Sequence, residues 1–349
     1  VDEAVDTVRR VLAPRLEGHD VADQAGIDRL LRELDGTANF SRIGGNVAVA
    51  VSLAAAKAAA AHAGVPLYRH LAHDVPKRMP LPLGNVIGGG RHAIGGTTIQ
   101  EFLVVSLGPT VRANVFANAR VHGAVRDALS SRFPDEPLGR GDEGAWIARL
   151  GDEEALALLA DACRAVASDV GFEIRPALDL AASEFFRGGR YRYRDRSLTP
   201  DGQIEFLERI VHDYGLFGLE DPLDQEDFEG FARLTEGLGT RCKIIGDDLF
   251  ATDVERLRTG ITMRAANAIL IKPNQIGTLS ETRAAVDLAH KAGYATVVSH
   301  RSGETTDDTI AHLAVGFGSL GIKTGVVGGE RTAKLNELIR IEEATGRGA

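Results

Sequence analysis

Six residues that could do chemistry each close a short apolar run. Asp179, Glu220, Asp247, Lys272, His300 and Lys323 end the runs at 174–178, 216–219, 243–246, 268–271, 295–298 and 320–322. The first step between them is 41 residues and the later ones are 23 to 28, about one strand-plus-helix unit each. In a (β/α)8 barrel the catalytic groups stand at the carboxyl ends of successive strands and converge on one mouth. A doubly wound sheet would not gather six strand ends on one cavity, so the spacing predicts an α/β barrel. Asp179, Glu220 and Asp247 repel one another unless a cation joins them. Oxygen-only donors select a hard ion, magnesium foremost. The competing reading is that each carboxylate pairs with an arginine or caps a helix.

Lys272 ends Ala268–Ile271. Burial disfavours an ammonium, and Arg301, Lys323 and a metal would oppose it further. Its pKa is therefore expected to fall, which makes the amine a general base. A salt bridge to one of the carboxylates is the alternative. Arg301 and Ser302 follow His300 and offer donors suited to a phosphate or carboxylate; His300 alone reads as a satisfied core histidine. Gln100-Glu101 and Asp142-Glu143 read as loop carboxylates able to serve a leaving group. The set describes a metal-held carboxylate substrate, a lysine that removes the neighbouring proton, and an opposing acid that expels a hydroxyl.

Strands and amphipathic helices alternate after Met79, while the chain before about residue 80 shows only helical periodicity. Val1–Leu12, Ile27–Leu34 and Gly45–Ala63 carry it. Gly88-Gly89-Gly90 matches neither dinucleotide nor P-loop patterns. His19, His62, His70 and His73 read as solvated.

Composition bounds the rest. The 349 residues are 44% apolar and 26% charged, an ordinary globular balance. With 40 basic and 49 acidic residues, net −9, a nucleic-acid partner is disfavoured but a small anionic substrate is not. No run of about 18 uncharged apolar residues suggests a membrane span. Cys163 and Cys242 form no zinc pattern and no disulfide framework, so a cytoplasmic location is expected. Only seven of the basic residues are lysine. Each is informative, because lysine is the cation whose pKa can be pulled down.

The motifs resemble the enolase family, most closely its archaeal members. They are Leu34-Asp35-Gly36-Thr37, Ile99-Gln100-Glu101-Phe102, Gly141-Asp142-Glu143-Gly144, Ser183-Glu184-Phe185-Phe186, Glu220-Asp221-Pro222, Gly246-Asp247-Asp248-Leu249, Ile271-Lys272-Pro273-Asn274-Gln275, Ser299-His300-Arg301-Ser302-Gly303 and Ile322-Lys323-Thr324-Gly325. The resemblance implies a barrel whose first strands depart from simple βα order, over 77–349, preceded by the helical part of a capping domain over 1–76. It implies phosphopyruvate hydratase activity, the reversible magnesium-dependent dehydration of 2-phosphoglycerate to phosphoenolpyruvate in glycolysis. It gives Asp179, Glu220 and Asp247 to the first magnesium and Lys272 to the C2 proton. Glu143 becomes the acid for the C3 hydroxyl, with Glu101 beside it. His92, Gln100, His300, Arg301, Ser302 and Lys323 would contact substrate, Arg301 and Ser302 at its phosphate. A homo-oligomer, dimer or octamer, is expected.

The family opens on a three-stranded sheet and a Ser-Gly-Ala-Ser-Thr-type lid loop, about 50–70 residues by typical element lengths. Neither lies in the written sequence, which leaves lid closure and a second magnesium open. Two further readings follow: a truncated, catalytically weak chain kept as a binding or scaffold protein, and another superfamily member that abstracts an α-proton from a different acid.

Overall fold

The structure, a computed structural model, describes residues 1–72, 78–93, 95–141 and 143–346. The expected domain boundary at 76–77, His73 and Asp142 lie outside the described residues. His19 and His62 are exposed and His70 is half-buried.

The first 72 residues are helical. Asp2–Thr7, Val8–Leu12 and Ala13–Leu16 follow one another, then Gln24–Asp35, Gly45–His62 and Leu67–Leu71. Leu12, Leu31, Phe40, Ile43, Val47 and Ala48 close a small core of their own. Alanines of Gly45–His62 pack into the larger core beside it, where Ala56 and Ala60 join Leu67, Tyr68 and Leu71. Buried Asp28 and Ser52 tie these helices to the barrel by accepting from the backbone N–H of Ser280 and Leu279.

Eight strands then close a barrel: β1 (Leu81–Gly88), β2 (Glu101–Ser106), β3 (Ile174–Asp179), β4 (Gly218–Glu220), β5 (Lys243–Gly246), β6 (Ala268–Ile271), β7 (Ala295–Ser299) and β8 (Gly321–Lys323). Each pairs with its sequence neighbour, and β8 closes on β1. All of these pairings are parallel except those of β2, which runs opposite to both β1 and β3. Two helices, Val111–Arg132 and Asp152–Val170, stand between β2 and β3. These consecutive helices and the reversed β2 make the departure from simple βα order. The long first step, Asp179 to Glu220, holds a small three-stranded antiparallel sheet within 186–198 ahead of the helix Pro200–Tyr214. From β3 onward strand and helix alternate.

Leu83, Leu103, Val105, Ala177, Ile245, Leu270 and Val297 fill the barrel. Alternate strand residues face the helices and join the outer core. Several crossover helices start on a side-chain cap: Thr110, Thr199, Asp227, Asp253 and Thr278 each accept from a first-turn N–H. Such a cap contributes about 1 kcal/mol and fixes where each strand-to-helix loop ends.

Candidate active site

Parallel strands carry their last residues to one end of the barrel. Asp179 and Glu220 close β3 and β4 and stand opposite each other in register. Asp247, Lys272 and His300 directly follow β5, β6 and β7, and Lys323 closes β8. The six sequence-predicted positions therefore share one mouth. Glu101 joins them by a different route. Read from sequence as a loop residue, it is the first residue of β2. Because β2 runs backwards, its start lies at the same end as the finishes of the others, and Glu101 pairs with Asp179.

Lys323 is the hub. Its Nζ lies 2.8 Å from Asp179 Oδ2, 2.9 and 2.8 Å from the two Glu220 oxygens, and 3.2 Å from Glu101 Oε2. Burial disfavours its charge, but those carboxylates outweigh burial and hold the ammonium well above its usual range. Burial likewise opposes the Asp179 carboxylate, and Lys323 overrides it and lowers the pKa. Gln100 Nε2 adds a donor 3.4 Å from Asp179 Oδ2.

Lys272 is paired with Asp247 through a short contact. The expectation of a lowered pKa is corrected here. Burial pushes the amine down, but Asp247 and Glu220 outweigh it and raise it. The salt-bridge alternative describes this arrangement. Asp247 is also held by Gln275 Nε2 at 3.1 Å, and Gln275 by Thr252 Oγ1 at 2.8 Å.

A second group faces this pair across the ring, since β2 is four strands from β6. His92 Nδ1 is 3.4 Å from Glu101 Oε1 and 3.9 Å from Glu143 Oε1. His300 Nε2 is 3.5 Å from the same Glu143 oxygen, and Asn85 Nδ2 donates to Glu143 Oε2 at 3.1 Å. Glu101 and Glu143 differ sharply. Burial and the neighbouring Glu143 charge push Glu101 up to about 7. Glu143 is buried too, but Lys323, His92 and the Asn85 amide, joined by His300 only when that ring is protonated, hold it down at about 2. Of the two, Glu101 is the carboxyl that burial pushes toward its protonated form.

The Glu143 loop fits by close backbone approach. Gly144 has φ +75°, and a side chain there would run into the Val327 carbonyl. Gly325, φ +73°, passes the Glu143 carbonyl in the same way. Arg301 is exposed and Ser302 half-buried in the loop after β7, at the rim of the mouth.

Sequence reasoning missed Asn85, Asp221 and Arg331. Asn85 was readable as a lone polar residue in an otherwise apolar strand. Asp221, at φ +39°, accepts from the N–H groups of Asp247 and Asp248 at 2.9 and 2.7 Å, linking the ends of β4 and β5.

Among the described residues, Glu101, Glu143, Asp179, Glu220, Asp221, Asp247 and Asp248 outnumber the cations they meet, Lys272 and Lys323, beside two histidines. The excess negative charge shows at Glu220 and Asp221. Burial first, then their carboxylate neighbours, hold both well above the usual range. Oxygen atoms of Asp221, Asp247 and Asp248 lie within 4.8 Å of one another, as do ligand atoms of His92, Glu101 and Glu143. The Asp221, Asp247 and Asp248 set is all oxygen and over-charged and fits a hard metal cation, while the other offers a histidine nitrogen beside two carboxylates.

Fold and site together define an α/β barrel with an acidic, metal-competent centre at the carboxyl ends of its strands. Residues 76–349 match the enolase C-terminal TIM barrel domain, and residues 1–71 match the enolase N-terminal domain. An enolase of Natronomonas pharaonis is 55% identical over 344 residues, covering 98% of this chain and 86% of the relative. Enolases of Picrophilus torridus and Methanothermobacter thermautotrophicus are 48% and 52% identical, again over 98% of this chain and over 86% and 84% of theirs. The chain belongs to the enolase family. Among its described residues no helix is long and apolar enough to cross a membrane.

Proposed function

We propose that the chain catalyses the reversible dehydration of 2-phosphoglycerate to phosphoenolpyruvate, with magnesium as its metal. The observation that carries this reading is the placement of Lys272 at the end of β6, across the ring from the Glu101–Glu143 pair, with the carboxylates of β3, β4 and β5 between them. A base and an acid on opposite sides of one mouth suit removal of a proton from one carbon and a hydroxyl from the next.

Asp179, Glu220 and Asp247 hold the magnesium. When bound, it neutralises the substrate carboxylate and the charge that develops beside it. With Asp247 committed to a cation, Lys272 loses the partner that keeps its proton, and burial then favours the neutral amine. Lys272 takes the C2 proton. Glu143 directs the proton held by the glutamate pair to the departing C3 hydroxyl, with Glu101 as its store. Lys323 supports the carboxylate end, and Gln100 and His92 line the pocket. His300 donates toward the substrate, while Arg301 and Ser302 at the rim take the phosphate.

The chain divides into a helical capping part, 1–76, and the barrel, 77–349. It works as a cytoplasmic homo-oligomer on a small anionic substrate. The test is the ultraviolet absorbance of phosphoenolpyruvate formed from 2-phosphoglycerate, with and without magnesium, beside the Lys272→Ala variant. Magnesium-dependent product from the wild type alone supports the reading; equal rates from both proteins overturn it.

A further inference from the structure

We infer that Arg331 is a positioning residue that fixes His300 as a neutral imidazole whose single N–H lies on Nε2 and points into the barrel mouth. Arg331 lies on the helix Gly329–Ala344 and is 0% exposed. Its Nη1 is 2.8 Å from His300 Nδ1. A guanidinium stays protonated and only donates. Nδ1 must therefore accept, because a proton there would set two donors face to face. The ring's one N–H is left to Nε2, 3.5 Å from Glu143 Oε1. That atom is fully buried with no hydrogen-bond partner among the described residues.

The same guanidinium holds the loop behind the ring. Nη1 donates to the Arg301 carbonyl at 2.8 Å and Nη2 to the Ser302 carbonyl at 2.6 Å. One turn further along the helix, buried Lys334 donates to the Thr305 carbonyl at 2.7 Å and meets Glu304 Oε2 at 2.8 Å. Two buried cations thus grip the segment that carries His300, Arg301 and Ser302. The groups that face His300 are Glu143 from its loop, Arg331 from the last helix, Lys323 from β8 and Lys272 after β6. Only Glu143 favours an imidazolium; burial and the three cations oppose it, leaving a pKa of about 3. His300 therefore serves as a fixed donor and does not carry a proton back and forth, which leaves the acid duty to the glutamate pair.

This inference rests on the placement of His300 in the proposed active site. It is tested on the full chain, labelled with 15N-histidine, by imidazole 15N–1H spectra over about pH 5 to 8, the range where an ordinary histidine titrates. His300→Gln assigns the signal. Wild type should show the Nε2–H tautomer throughout, with no imidazolium. Arg331→Met should make His300 titrate, lower kcat about 100-fold, as misplaced catalytic groups do, and add an acidic limb to the rate profile. Arg331→Lys keeps a donor to Nδ1 and should restore the tautomer and remove that limb, which a purely structural role would not require. An Nδ1–H tautomer or an imidazolium in the wild type overturns the inference, and so does a folded Arg331→Met with unchanged tautomer and profile. If neither variant folds, the wild-type spectrum still decides. A tautomer that shifts in Arg331→Met while turnover does not would support the hold on the ring and count against the active-site role of His300.

Discussion

Lys323 spans both oxygens of Glu220, with Nζ 2.9 Å from Oε1 and 2.8 Å from Oε2. The ammonium thus occupies a carboxylate that the proposed metal also uses. Cation and lysine compete for the same charge, and each limits how tightly the other is held.

Removal of the lysine should therefore tighten metal binding while it abolishes turnover. Lys323→Met is expected to bind magnesium about tenfold more tightly, since one charge a few ångströms away is worth about 1 to 4 kcal/mol across a screened site. Calorimetric titration of magnesium into the substrate-free protein measures this. Weaker binding in the variant would mean that Lys323 shapes the metal site more than it opposes it.

Lys272 and Glu143 divide the chemistry. Lys272→Ala should stop exchange of the C2 proton with solvent while magnesium still binds, and proton NMR of 2-phosphoglycerate in heavy water reads the exchange. Retained exchange would remove Lys272 from the base role.

Glu143→Gln should do the reverse, leaving C2 exchange in place and blocking loss of the hydroxyl. The same spectra, with product absorbance, separate the two steps. Loss of both in this variant would place Glu143 in the first step as well.

The buried histidine leaves a mark on acid stability. The folded pKa of His300, about 3, lies below the unfolded value near 6.5. The unfolded chain therefore binds the extra proton, and the contribution of His300 is full above pH 6.5 and lost as pH falls toward 3. Glu143, lowered to about 2, adds to the loss below its ordinary value of 4.5. Glu101, raised to about 7, acts in the opposite sense between 4.5 and 7. The contributions of these three groups should thus nearly cancel between pH 6.5 and 4.5 and fall together below. His300→Gln should flatten the acidic slope by one proton, about 1.4 kcal/mol per pH unit. Urea unfolding at a series of pH values reads it, and parallel curves for the two proteins would contradict the assignment.

Gly144→Ala tests the backbone approach that seats Glu143. A positive φ and a collision with the Val327 carbonyl should cost more than about 1 kcal/mol of stability and lower kcat. Thermal unfolding and steady-state rates check both, and an unchanged rate would separate the loop from the chemistry.

The barrel was legible because each strand from β3 to β8 announces itself twice, by a short apolar run and by the polar residue that ends or follows it. Glu101 broke that pattern. Its strand is reversed, so the chemistry-bearing residue comes first and reads as the end of the preceding glycine-rich loop. The direction of the Lys272 shift was not legible either. Burial of an amine can be read from Ala268–Ile271, but the carboxylate beside it comes from another strand end and is set only by the closed ring. Arg331 is the furthest case. It lies in a helix whose face toward the His300 loop is fixed by packing, and nothing in its own neighbourhood of sequence marks it.

The most direct test of the central claim follows the fate of 2-phosphoglycerate on the metal-stripped protein as magnesium is returned. Lys323 and Lys272 already neutralise part of the acidic centre, so the stripped protein should keep its circular dichroism spectrum and show no turnover. Product absorbance should then rise with magnesium and saturate. Turnover that persists in the stripped protein, or that never appears in a folded protein that binds magnesium, would contradict the account.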